Sequence, residues 1–124
     1  MRTTMSALLT VALLAAGCGS AANDGDDAGA RQSDAAPDVE AEIEMFEFEP
    51  DVIEIEAGQT VRWTNGDATR HTVTAGEPDG PTGAFDIFLE DRGSRATVTF
   101  DEPGEYHFFC QPHSFMTGSV VVTE

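Results

Sequence analysis

Apolar and polar residues alternate along most of the chain after residue 40. Ile53 and Ile55 alternate with Glu54 and Glu56, and Val61 and Trp63 with Arg62 and Thr64. A period of two gives a strand one dry and one wet face. Such runs recur at a spacing of roughly eight to twelve residues with turn residues between them, and none sustains a helical period. The pattern predicts strands over 41–48, 52–56, 60–65, 70–74, 95–100, 105–110 and 118–123. The apolar phase changes between Met45 and Phe46, which predicts a bulge or a strand serving both sheets, with Met45 in the core. Ala57-Gly58-Gln59 and Glu102-Pro103-Gly104 read as turns, and residues 75–83, with three Gly and two Pro, as a surface loop. Seven to eight short strands in the 85 residues from Glu40 predict an all-β, Greek-key β-sandwich of two sheets.

The first 39 residues follow neither period. Arg2 is followed by an uncharged apolar run of eleven residues, Ser6 to Ala16, too short for a permanent span but suited to a secretory signal. It ends at Leu14-Ala15-Ala16-Gly17-Cys18, which resembles a bacterial lipobox with Ala15 where leucine is usual. Residues 1–17 therefore read as a signal peptide and Cys18 as the lipidated first residue of the mature protein. Ordinary cleavage nearby, releasing a soluble protein, is the alternative. No twin-Arg pair is present, so the general secretory route is expected. Residues 18–39 contain five Asp, one Arg and a single sizeable hydrophobe, Val39. Such a segment buries too little apolar surface to offset its ordering entropy, and it reads as a disordered acidic tether. The domain is then 40–124.

Composition narrows the function. The 124 residues carry 23 Asp and Glu against 6 basic residues, for a net charge of −17. Every basic residue is Arg. This balance excludes nucleic acid and an anionic membrane surface as partners, because both require a basic footprint. It fits either a salt-adapted surface or a docking patch for a basic redox partner. Two cysteines exclude a disulfide scaffold and a Cys-rich zinc module.

Chemistry concentrates in Tyr106-His107-Phe108-Phe109-Cys110-Gln111-Pro112-His113-Ser114-Phe115-Met116. A thiol, an imidazole and a thioether stand at Cys-x2-His-x2-Met spacing. Soft sulfur with imidazole selects copper, and a His2Cys set with a weak axial Met describes a blue-copper site. His71, at the start of a predicted strand, supplies the second imidazole. Taken singly, Cys110 reads as a buried inert thiol, His71 as a histidine at a strand end, and Met116 and Phe115 as core. The joint spacing overrides those readings, since an exported protein seldom keeps an unpaired thiol without a metal. A Cys18–Cys110 disulfide would leave the His and Met spacing unexplained. His107 lies three residues before Cys110, so alternation turns it to the other face and away from the ligand set.

Phe46-Glu-Phe-Glu-Pro50, Gly58-Gln-Thr-Val-Arg-Trp-Thr-Asn65, His71-Thr-Val-Thr74 and Pro103 through Val122 resemble the plastocyanin-like cupredoxins, over residues 42 to 123. The short ligand loop is similar to the amicyanin type, and the lipobox and acidity to halocyanins. The resemblance implies the cupredoxin fold and one type 1 copper ion held by His71, Cys110, His113 and Met116. It implies a backbone N–H from Thr72 to the thiolate. Family members often carry Asn after the first His, so Thr72 departs from the pattern there, and Asn65 is a candidate to supply part of the missing support. Pro112 has no N–H to offer. The ring edge of His113 is expected to emerge through an apolar patch made by Phe115, Pro112 and Pro78 or Pro81. Phe109 occupies a position that in plastocyanins is an aromatic near a remote docking patch; covering the sheet is the alternative here.

The reading is thus a blue-copper electron carrier, not an enzyme, since no spare histidines exist for further copper sites. It is expected to be a monomer, exported, anchored by lipid at the outer face of the cytoplasmic membrane, and to exchange electrons with a cytochrome or membrane oxidoreductase. An extracytoplasmic copper-delivery lipoprotein and a metal-free adhesion sandwich are the alternatives.

Overall fold

A computed structural model describes residues 29–124. They form ten strands: β1 (Ala30–Gln32), β2 (Val39–Glu44), β3 (Glu47–Glu49), β4 (Val52–Glu56), β5 (Thr60–Asn65), β6 (His71–Glu77), β7 (Gly80–Leu89), β8 (Arg95–Phe100), β9 (Gly104–Phe109) and β10 (Thr117–Thr123). Two five-stranded sheets face each other, in the orders β1-β8-β5-β2-β3 and β4-β10-β9-β6-β7. β2 lies parallel to β5 and β4 parallel to β10, while the remaining neighbours are antiparallel. The chain crosses from sheet to sheet five times. The β-sandwich is the expected class, with more strands than the seven or eight predicted.

Alternation sets the faces. Ile53 and Ile55 of β4 point inward and Glu54 and Glu56 outward. Trp63 from one sheet meets Phe85 and Phe108 of the other, with ring centroids 6.2 and 5.4 Å apart, and Phe100 meets Phe85 at 5.7 Å. Each ring buried this fully contributes about 2–3 kcal/mol. This aromatic layer joins the two sheets and gives the ligand-bearing strands a rigid floor.

Four expectations are corrected. The tether was drawn to residue 39, yet Ala30–Gln32 form a strand against β8, with Ala30 buried. Ser33 N–H donates to the Thr97 carbonyl, and Asp38 accepts from and donates to Thr60. Backbone pairing of an otherwise open sheet edge holds this stretch, so apolar content gave no signal of it. The signal peptide, Cys18 and the rest of the tether lie outside the described residues. Second, 41–48 is not one strand: β2 and β3 are a hairpin turning at Met45 and Phe46, whose φ angles are +51° and +62°. Met45, expected in the core, is 84 % exposed at the tip. Third, the predicted loop 75–83 is mostly strand, because β6 and β7 form a hairpin turning at Pro78 and Asp79. Gly76, at φ +110°, sits at its bulge, where a Cβ would collide with the Gly80 carbonyl. Fourth, that turn places Pro78 and Pro81 at the far end of β6 from His71, about 20 Å away at a strand's rise per residue, so neither joins a patch beside it. Phe109 is buried as well and offers no surface aromatic.

At the same far end, the Tyr106 hydroxyl donates to the Glu102 carbonyl at 2.9 Å. Burial raises its phenol above the ordinary 10.0, and the charges of Glu102 and Asp101 push the same way. The folded state therefore favours the neutral phenol. Its contribution is complete below pH 10.0 and falls as pH rises from there through the folded value. Tyr106→Phe should cost about 1 kcal/mol in urea unfolding at neutral pH, and should flatten the alkaline decline above pH 10 that the parent protein shows.

Like charges face each other on the outside of the β2–β3 hairpin, where Glu42 opposes Glu49 and Glu44 opposes Glu47. Such pairs destabilise a ladder, and salt screens them. The thermal midpoint is expected to rise between low and high sodium chloride. Replacing Glu42 and Glu44 together by Gln should reduce that rise; an unchanged salt response would show that these pairs do not carry it.

Candidate metal centre

Strand pairing assembles the site. β6 runs antiparallel to β9 with Thr74 opposite Phe109 and Ala75 opposite Phe108. This register brings His71, at the start of β6, beside Cys110, immediately after β9. Residues 111–116 then turn back into β10. The turn is closed by Cys110 N–H donating to the Met116 carbonyl at 3.1 Å and Met116 N–H donating to the His113 carbonyl at 2.8 Å. His71 and Cys110 are fully buried and Met116 nearly so. Cys110 Sγ lies 3.6 Å from His71 Nδ1, and the rings of His71 and His113 are 5.1 Å apart. All four residues expected as ligands therefore gather at one end of the sandwich. Among the described residues, no three His, Cys, Asp or Glu side chains make a cage by themselves.

The donor set suits a soft metal. A metal–sulfur bond of about 2.3 Å and a metal–nitrogen bond of about 2.0 Å, opening a tetrahedral or wider angle, span a gap of the Sγ–Nδ1 size. A thiol, two imidazoles and a thioether together favour copper over harder ions.

Thr72 supports this set in two ways. Its backbone N–H donates to Cys110 Sγ at 3.4 Å. Its Oγ1 accepts the N–H of Gln111 at 2.8 Å and lies 2.9 Å from Thr74 Oγ1, which donates to Asp86 at 2.8 Å. The order Gln111 to Thr72 to Thr74 to Asp86 satisfies every hydroxyl in one direction. The departure from Asn is thus compensated at the same position, by a shorter side chain backed by a second threonine. Asn65 acts upstream: its Nδ2 donates to the Thr69 and Leu89 carbonyls and its Oδ1 accepts from Asp67 N–H at 2.8 Å, which shapes the loop before His71. Pro112 is exposed in the ligand loop. His107 is half-exposed between Glu77 and Glu105, each 3.2 Å away, apart from the site as expected.

Two participants were missed. Asp67 Oδ2 lies 2.8 Å from His71 Nε2, and the same carboxylate accepts the N–H groups of Met45 and Phe46 at 2.9 and 3.0 Å. With Nε2 engaged, Nδ1 keeps its lone pair facing the thiol. Burial acts to raise the Asp67 carboxyl; hydrogen bonds from Phe46, His71 and Met45 and the charge of His71 outweigh it, leaving it below its usual value. An acid four residues before a histidine is the only trace of this in sequence. The second is Phe46. Its ring stands perpendicular to those of His71 and His113 at 5.4 and 5.0 Å. His113 is half-buried, with its Nε2 closed to solvent and without a hydrogen-bond partner, and the exposed rings of Phe46 and Phe115 flank it.

A family model for copper binding proteins, plastocyanin/azurin family, matches residues 35–123. The chain belongs to that family. This cupredoxin is 33 % identical over 127 residues to amicyanin of Paracoccus versutus, covering 98 % of the chain and 96 % of the relative. It is 37 % identical over 83 residues to the chloroplastic plastocyanin of Tetradesmus obliquus, covering 60 % and 57 % of the two. The crystal structure of amicyanin from P. versutus superposes with a TM-score of 0.60 at 31 % identity, over 74 % of this cupredoxin and 91 % of that chain. A purple cupredoxin from Nitrosopumilus maritimus gives 0.63 at 27 %, over 69 % and 100 %.

Asp67→Asn leaves one good acceptor for three donors. It should weaken copper binding about 10- to 100-fold, measured by competition with a chelator, and destabilise the copper-free protein. Thr72→Val keeps the N–H to sulfur but strands Gln111 N–H, and should cost about 1–2 kcal/mol in chemical unfolding.

Proposed function

We propose that this cupredoxin is a type 1 copper electron carrier of the extracytoplasmic space, exchanging one electron at a time with redox proteins such as a cytochrome or a membrane oxidoreductase. The observation that carries this reading is the convergence of His71, Cys110, His113 and Met116 at one end of the sandwich in a chain of this family. Copper held there supplies a one-electron couple between Cu(II) and Cu(I).

The protein's part is to keep the ligands in one arrangement through both states. His71 is fixed by Asp67, the thiol by Thr72 N–H, and the loop by Thr72 Oγ1 and its own turn. Ligands held this firmly need little rearrangement, which favours fast exchange. Binding needs the Cys110 thiolate and neutral imidazoles on His71 and His113, so copper affinity should fall in acid. The burial of His71, Cys110 and Met116 speaks against the delivery reading, because cargo hand-over needs ligands a partner can reach.

The N-terminal run and Cys18 support export followed by lipid anchoring, with the domain at the outer face of the cytoplasmic membrane. Copper-loaded protein is expected to show an intense visible band, bleached by reductant and restored by oxidant. Cys110→Ser should abolish the band; a variant that stayed blue would overturn the ligand set. Radiolabelled palmitate should enter the full chain and not Cys18→Ser, as read by gel autoradiography.

A further inference from the structure

We infer that Asp86 is a positioning residue for the ligand loop: from the exposed edge of the second sheet it sets the direction of a buried hydroxyl chain that ends on the Gln111 N–H, next to Cys110.

β7 is an edge strand, hydrogen-bonded to β6 alone. Its inward residues Phe85, Ile87 and Leu89 are buried, and Asp86 stands between them on the outer face. A carboxylate so placed ordinarily meets only water. Asp86 instead lies directly opposite Thr74 in the β6–β7 ladder and accepts the Thr74 hydroxyl at 2.8 Å. Thr74 Oγ1 is 2.9 Å from Thr72 Oγ1, which accepts the Gln111 N–H at 2.8 Å. Thr72 and Thr74 are 1 % and 2 % exposed, so water does not replace a missing partner.

Two hydroxyls in contact can be oriented either way, because each both donates and accepts. The ends of the chain decide. The Gln111 N–H only donates, so Thr72 must turn a lone pair to it and its own hydrogen to Thr74. The Thr74 hydrogen is then left over, and it needs an acceptor that does not donate in return. A carboxylate is such a group. Without it the Thr74 hydrogen turns back onto Thr72, the Thr72 hydrogen faces the Gln111 N–H, and the bond holding the loop is lost. A strong acceptor at one end also polarises the chain and strengthens its last bond, at Gln111. Asp86 thus acts on the ligand loop through two threonines.

The relay belongs to the copper-free fold, whereas its bearing on copper rests on the electron-carrier reading. The test follows amide hydrogen exchange by NMR in copper-free full-length protein at fixed pH and temperature. Asp86→Leu fills similar space and offers no acceptor. It should speed exchange of the Gln111 amide about three- to tenfold, as expected for one lost hydrogen bond. The Ser119 amide, which donates to the Asp51 carbonyl outside the chain, should be unchanged. Asp86→Asn keeps an acceptor oxygen and should stay within about twofold of the parent. In a Thr74→Val background the relay is already cut, so Asp86→Leu should change the Gln111 rate by less than about twofold. An unchanged Gln111 rate in Asp86→Leu, equal acceleration of Ser119, or an Asn variant as fast as the Leu variant would overturn the relay. So would effects of Thr74→Val and Asp86→Leu that multiply; if Thr74→Val does not fold, the Asn variant decides alone. A protein whose Gln111 amide responds as expected but that never turns blue with copper would overturn the electron-carrier reading alone. A blue protein whose Gln111 amide is indifferent to Asp86 would overturn the relay alone.

Discussion

The register of β6 against β9 governs the rest of the molecule. With Thr74 opposite Phe109 and Ala75 opposite Phe108, the strand that begins with His71 ends alongside the strand that delivers Cys110. A slip of one residue would turn every side chain of β6 to the opposite face and send the imidazole away from the thiol. The aromatic layer of Trp63, Phe85, Phe100 and Phe108 makes such a slip costly, because its rings interlock across both sheets. Packing in the middle of the sandwich thereby sets a distance at its end.

Around that pairing, support comes from short polar side chains placed one at a time. Thr72 serves the thiol with its backbone and the ligand loop with its hydroxyl. Asn65 orders the loop that carries Asp67, and Asp67 joins His71 to the β2–β3 hairpin. The ligands thus share restraints: disturbing the hairpin reaches His71 through one carboxylate, and disturbing β6 reaches the ligand loop through one hydroxyl. In a low-dielectric interior, such bonds strengthen when complete and cost heavily when one partner is removed.

Much of this was legible in the sequence. Alternation marked β4 and β5 because each buries one face, and Cys-x2-His-x2-Met marked the ligand loop because ligand spacing in a tight turn is local. What escaped was held by contacts that leave no pattern. β1 is three residues with one small inward side chain, and it exists because β8 has an edge to fill. β7 begins among Gly and Pro, whose turn signals concealed the buried series Phe85, Ile87 and Leu89. Met45 and Phe46 adopt a turn that their residue types oppose, and only the distant Asp67 accounts for it. That aspartate in turn has no local signature beyond its offset from a histidine.

The point at which the chain enters the sandwich has a mechanical consequence. The Gly29 carbonyl accepts the N–H of Asp101, next to the Glu102 and Tyr106 pair and about 20 Å along β9 from Cys110. Tension on the chain ahead of Gly29 is therefore borne first by the three residues of β1, which can peel from β8 one hydrogen bond at a time. The strands holding the ligands lie in the other sheet, behind the aromatic layer. β1 is thus the segment that a pull on the chain would strip first, at the end of the sandwich opposite the ligands.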